Sequence, residues 1–162
     1  MLKCALQGVS ATEGLVVDDR EVLREGPTYT VDTLTELRQA LGSQPALVLV
    51  LGSDQLHNLA TWHRWRELFG LAHLAVTQRE RVSLSGLPEV VQAELDARGA
   101  DALPDTPCGA IVFFRMPPVP VSATVLRAHL ARKEPVSGLT PPAVLDYIAA
   151  HGLYRAGPPI SD

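Results

Sequence analysis

The sequence predicts an α/β fold, a doubly wound parallel sheet with helices on both faces. Three observations lead there. Short apolar runs bounded by Gly or Pro recur along the chain, and stretches of helical period lie between them. No internal repeat or low-complexity segment interrupts that alternation. The chain has 162 residues, 46% of them hydrophobic and 20% charged, which suits one domain, 1–162, with a real core.

Met1 to Leu6 has helical character, and Gly14 to Asp18 (Gly-Leu-Val-Val-Asp) reads as the first strand. Arg24-Glu25-Gly26-Pro27 marks a turn. Thr30 to Gly42 is an amphipathic helix. Val31, Leu34, Leu37 and Leu41 recur at helical spacing, Thr30 suits the N-cap and Gly42 the position just past the end. Ala46 to Leu51 is continuously apolar between Pro45 and Gly52, the pattern of a strand covered on both faces. Thr61 to Phe69 reads as a helix capped by Thr61, with Trp62, Trp65, Leu68 and Phe69 on one side. Leu71 to Thr77 is a strand, Leu87 to Arg98 a helix, Gly99 to Gly109 a polar loop, and Ala110 to Phe114 another strand. Met116 to Val121, with three prolines, runs extended. Ser122 caps a helix to about Arg132, and Pro141-Pro142 opens a last helix, Ala143 to His151, closed by Gly152.

In an open parallel sheet ligands bind beyond the carboxyl ends of the strands. The strand ending at Leu51 runs into Gly52-Ser53-Asp54, where a glycine permits close backbone approach and an aspartate can accept from sugar hydroxyls; a plain turn is the alternative. The strand ending at Thr77 leads to Arg79, placed to hold a phosphate or carboxylate, or else part of a solvated cluster with Glu80 and Arg81. Beyond the proline segment, Ser122 and Thr124 put hydroxyls at a helix start and Arg127 lies one turn on. Hydroxyls, helix N-terminus and guanidinium suit a polyanion such as a triphosphate, and an ordinary capped helix is the alternative. Trp62 opens its helix, where it can either pack into the core or stack on a flat ring.

Other chemistries lack their signatures. Gly-x-Gly-x-x-Gly, a phosphate loop ending in Gly-Lys-Ser/Thr, and Gly-x-Ser-x-Gly do not occur. The five histidines have no zinc-ligand spacing. A net charge of −4 argues against broad nucleic-acid binding. No run is apolar enough to span a membrane and no signal segment opens the chain, while two cysteines, Cys4 and Cys108, fit a reducing cytoplasm better than a disulfide framework.

Four motifs in register carry a resemblance. They are Asp18-Asp19-Arg20-Glu21 followed by Gly26-Pro27-Thr28-Tyr29-Thr30-Val31-Asp32-Thr33-Leu34, then Leu51-Gly52-Ser53-Asp54 with Thr61-Trp62-His63-Arg64-Trp65. The third is Val121-Ser122-Ala123-Thr124-Val125-Leu126-Arg127, and the last Val144-Leu145-Asp146-Tyr147-Ile148 with His151-Gly152-Leu153-Tyr154. In this order the chain resembles bacterial nicotinate mononucleotide adenylyltransferases over nearly its whole length.

The resemblance implies a Rossmann-like nucleotidyltransferase fold. It implies adenylyl transfer from ATP to nicotinate mononucleotide, giving deamido-NAD and pyrophosphate, with Mg²⁺ held mainly by substrate phosphates. It places Tyr29, Thr30 and Asp32 at the pyridine nucleotide, Trp62 against the nicotinate ring, Gly52 and Asp54 at ribose, and Arg79 near the mononucleotide. Ser122, Thr124 and Arg127 are implied to hold the ATP phosphates. Partners are small molecules rather than nucleic acid or membrane, and a homo-oligomer is compatible. His63 stands where relatives often carry another aromatic. The family's His-x-Gly-His region occurs nowhere in the chain, and Met1-Leu2 matches a point within a later helix of relatives. The expectation is therefore an N-terminally incomplete domain, without its first strand-helix units and catalytic histidines, weakly active or inactive and marginally stable. A non-catalytic nucleotide-binding module and an adenylyltransferase acting on phosphopantetheine are the rival readings.

Overall fold

Strands β1 (Val48–Gly52), β2 (His73–Thr77), β3 (Gly99–Ala100) and β4 (Ile111–Phe114) form one parallel sheet in the spatial order β1-β2-β4-β3. This is the α/β class expected from the alternation of runs. The computed structural model describes residues 1–7, 14–78, 84–117, 122–136 and 138–154. The helices are α1 (Leu2–Ala5), α2 (Arg20–Leu23), α3 (Thr30–Leu41), α4 (Leu68–Leu71), α5 (Glu89–Arg98), α6 (Ala123–Ala131) and α7 (Pro142–Ala150). The chain divides into two compact units. One is Asp19–Pro118, and the other joins Met1–Asp18 to Val119–Asp162.

The first unit holds the sheet and the main core. Leu74 and Val76 of β2 and Ile111 of β4 are buried, as a parallel sheet covered on both faces requires. Val31 and Leu34 of α3, Leu56, Leu59, Trp65, Leu68, Phe69 and Val91 pack with them. His73 opens β2 fully buried. Its Nδ1 accepts from the Ala110 N–H (3.0 Å), so Nε2 carries the proton toward the Thr106 carbonyl (2.7 Å). In the second unit α1 packs on α7, and Val136, Val144 and Ile148 are buried.

One arginine gathers the sheet at its amino end. Arg38 lies one turn after Leu34 on the same side of α3. Its Nε donates to the Leu71 carbonyl (2.8 Å), Nη1 to Pro45 (2.6 Å) and Nη2 to Pro107 (2.6 Å). Those carbonyls lie just before β2, β1 and β4 respectively. Leu41, expected on the apolar stripe, is instead 52% exposed.

The structure departs from the sequence-based elements in four places. Gly14 to Asp18 is not a strand. Leu15 and Val16 stand 61% and 87% exposed, and β-branched composition makes a strand only where a neighbouring strand takes its backbone groups. Thr61 to Phe69 is not one helix. It breaks into 3-10 turns at Leu59–Thr61 and Trp65–Glu67 followed by α4, because Trp62 is extended (ψ 144°) and Arg64 is left-handed (φ 51°, ψ 36°). The loop after α5 contains the two-residue β3, which exists by pairing with Ile111 and Val112. The N-cap of α3 is Tyr29, and Thr30 is its first helical residue. Gly42 does end α3 with a positive φ of 84°, as glycine permits. Of the segment read as extended, residues 118–121 lie outside the described residues.

Candidate functional site

The carboxyl edge of the sheet carries the first group. Gly52, last in β1, sits level with Thr77, last in β2, so Ser53 and Asp54 follow directly on the ligand-binding edge. Gly52 has an ordinary extended backbone (φ −77°), so its value there is the absence of a side chain rather than conformational freedom. Ser53 is fully buried. The Asp54 carboxylate accepts from Gln55 Nε2 on Oδ2 (2.7 Å), while Oδ1 is buried without a hydrogen-bond partner. An orphaned buried acceptor costs about 1–3 kcal/mol, more when charged. A ligand hydroxyl delivered there recovers that cost.

The second group is a cavity of about 270 Å³ lined by Thr28, Tyr29, Thr30, Thr61, Trp62 and His63. Its walls come from the entry to α3 and from the broken segment after β1. The break explains the aromatic arrangement. A continuous helix puts Trp62 and Trp65 nearly side by side. With the chain extended at Trp62 and left-handed at Arg64, Trp65 goes into the core at 7% exposure while Trp62 lines the cavity. The Tyr29 and His63 rings stack at 4.2 Å between centroids, 29° apart. Tyr29, Thr30 and Trp62, singled out from the sequence, are thus brought together. Thr28, Thr61 and His63 join them, His63 at the position where relatives often carry another aromatic.

Arg64 was not foreseen. Its Nε and Nη2 donate to the two carboxylate oxygens of Glu67 (2.9 and 2.5 Å), and Nη1 faces Asp32 Oδ1 at 3.4 Å. Asp32, expected at the pyridine nucleotide, therefore meets an arginine of the facing wall. The hydrogen bond from Arg64 holds the Glu67 carboxyl below its ordinary 4.5, and the Arg64 guanidinium is raised in turn. A depressed carboxyl pKa contributes above its unfolded value and loses that contribution as pH falls through the folded one. In a carbon-detected NMR titration the Glu67 carboxyl is accordingly expected to titrate with a midpoint below 4.5, and 1 M salt should move that midpoint back toward 4.5. A midpoint at or above 4.5 in low salt rules the bidentate pair out.

The third group lies in the second unit. Ser122 caps α6, its Oγ accepting from the Val125 N–H at 3.5 Å, and Arg127 Nη2 reaches Thr124 Oγ1 at 3.5 Å. All three side chains are exposed. The polyanion-binding elements read from the sequence, capped helix start and nearby guanidinium, are thus on one end of one helix. Arg79 lies outside the described residues. A larger groove of about 780 Å³ in the same unit is lined by Leu130, Val136, Leu145, Ile148 and other apolar groups with Lys133. It contains none of the residues singled out from the sequence.

Residues 4–138 match the family described as cytidylyltransferase-like. A protein of Laribacter hongkongensis, named a probable nicotinate-nucleotide adenylyltransferase, is 46% identical over 160 residues, covering 98% of this chain and 71% of the relative. One of the same name from Chromobacterium violaceum is 47% identical over 148 residues, covering 91% and 70%. Among solved structures, nicotinic acid mononucleotide adenylyltransferase of Plasmodium falciparum, complexed with NaAD, shares the fold with a TM-score of 0.55 at 17% identity. That match covers 80% of this chain and 58% of the solved one. The chain thus spans about 70% of the curated relatives' length and less than two thirds of the solved neighbour's. With the parallel sheet, the Tyr29–Trp62 cavity and the near-complete alignment in hand, the chain belongs to the cytidylyltransferase-like family and, within it, to the nicotinate-nucleotide adenylyltransferases.

Proposed function

We propose that the chain binds nicotinate mononucleotide in the Tyr29–Trp62 cavity and serves transfer of the adenylyl group of ATP to it, giving deamido-NAD and pyrophosphate. The observation that carries this reading is the cavity itself. An indole wall, a phenol and three threonine hydroxyls suit a flat heteroaromatic ring bearing polar substituents. A phosphopantetheine arm has no such ring to offer, which sets that rival aside.

In the reaction a mononucleotide phosphate oxygen attacks the α-phosphorus of ATP, and the bond to the β-phosphate oxygen breaks. The protein's task is to hold both nucleotides in line and to stabilise charge on the leaving pyrophosphate. Trp62 stacks on the nicotinate ring while Tyr29 and Thr30 border it. Gly52 admits the ribose close to the backbone, and the free Asp54 oxygen accepts from a ribose hydroxyl. Arg79 approaches the mononucleotide phosphate. Ser122, Thr124 and Arg127 receive the triphosphate at the start of α6. Mg²⁺ would be held mainly by the ATP phosphates, where it would offset their charge. Among the described residues no group of three or more His, Cys, Asp or Glu is placed to hold a metal. Among the same residues no helix is long and apolar enough to cross a membrane.

Incubation of the 162-residue chain with ATP, Mg²⁺ and nicotinate mononucleotide, with deamido-NAD read by chromatography, tests the proposal alongside calorimetric binding of each nucleotide. Binding of nicotinate mononucleotide with formation of deamido-NAD, slow because the chain contains no His-x-Gly-His, upholds it. Binding without turnover turns it into the non-catalytic module, and absence of binding overturns it.

A further inference from the structure

The cavity has two lips, residues 28–32 and residues 61–64, and two side-chain links cross between them. One is the Tyr29–His63 ring stack, the other the Arg64–Asp32 ion pair. Arg64 makes its link from a left-handed backbone, which is uncommon for a residue with a long side chain and has no glycine to ease it. Its guanidinium is aimed by the Glu67 fork. With Nε and Nη2 committed to both Glu67 oxygens, Nη1 is turned toward Asp32 in the first turn of α3.

We propose that Arg64 is a positioning residue for the pyridine nucleotide. Anchored by Glu67 on its own segment, it latches onto Asp32, holds His63 against Tyr29, and so fixes the width of the slot beside Trp62. This rests on reading the cavity as the nicotinate mononucleotide pocket. Asp32 then acts through Arg64, two residues along α3 from the Thr30 that lines the slot. His63 and Tyr29 are the titratable rings beside this cluster, and they are stacked on one another. The role demands a planar fork. A lysine carries one ammonium and cannot face Glu67 bidentately while reaching Asp32.

Arg64→Gly separates positioning from stability. Glycine accepts the left-handed backbone without crowding but gains freedom in the unfolded chain, so the melting temperature is expected to stay within about 2 °C. The latch, however, is gone. In the ligand-free chain the His63 ring protons, shifted upfield by the Tyr29 ring, are expected to return toward free-histidine positions in Arg64→Gly and in Asp32→Asn. Affinity for nicotinate mononucleotide, followed by tryptophan fluorescence, is expected to weaken about three- to tenfold because ordering of the lips must then accompany binding. Arg64→Lys should recover less than half of either effect. Unchanged His63 shifts with unchanged affinity overturn the latch, as does a melting temperature lowered by about 10 °C, which assigns Arg64 to folding instead. If the unaltered chain ignores nicotinate mononucleotide, the pocket reading falls, and the His63 shifts alone then uphold or overturn the latch.

Discussion

Arg38→Ala is expected to lower the stability of the chain by about 3 kcal/mol, a fall of roughly 6–12 °C in melting temperature. The guanidinium donates to the carbonyls of Pro45, Leu71 and Pro107 at 2.6–2.8 Å. A hydrogen bond with a charged partner contributes about 1.5–3 kcal/mol net when sheltered, and the exposed one to Pro45 contributes less. Truncation removes all three and leaves the part-buried carbonyls of Leu71 and Pro107 without that donor. Arg38→Met keeps the aliphatic stem and loses every donor, so it should fall nearly as far. Arg38→Lys reaches one carbonyl at a time and should recover less than half. Because these carbonyls precede the strands while the candidate site follows them, folded Arg38→Lys should bind nicotinate mononucleotide with unchanged affinity. A thermal shift below about 2 °C for Arg38→Ala shows that water replaces the clamp at no cost.

Trp62→Ala is expected to weaken nicotinate mononucleotide binding by about tenfold to a hundredfold, the range for losing one ring stacked on a base. Calorimetry of the two chains reads it directly. Trp62 also packs against the core cluster, so the alanine variant loses some stability as well. Trp62→Phe distinguishes the two losses, since it keeps an aromatic face and should lose only a few-fold in affinity. Equal affinity in Trp62→Ala and the unaltered chain removes the indole from the site and with it the main support for the proposed substrate.

Burial and local period explain what could be read from the residues. Val48–Gly52, His73–Thr77 and Ile111–Phe114 are short apolar runs between turn formers, and α3 repeats its apolar residues at helical spacing. Non-local causes explain what could not. Gly99 and Ala100 become a strand because β4 passes beside them, and nothing in their own identities says so. Gly14 to Asp18 has strand composition without a pairing partner among the described residues. Arg64 breaks a helix with no glycine, proline or asparagine to announce it. Its guanidinium is held by Glu67 three residues on and by Asp32 on another element. Recognition of two motifs brought Tyr29, Thr30 and Trp62 to attention. Their shared cavity, and the arginine beside it, needed the fold.

The order β1-β2-β4-β3 has a consequence for synthesis on the ribosome. β2, whose residues His73 to Val76 are all buried, pairs with β1 as soon as both have emerged. Its other edge belongs to β4, which comes only after the stretch from Gln78 to Ala110 has been made. At about 5–20 residues per second the most buried strand of the sheet waits roughly 2 to 7 seconds with a row of unsatisfied amides and carbonyls facing outward. The nascent chain is most open to wrong pairing in that interval, and the arrival of Ile111 to Phe114 ends it.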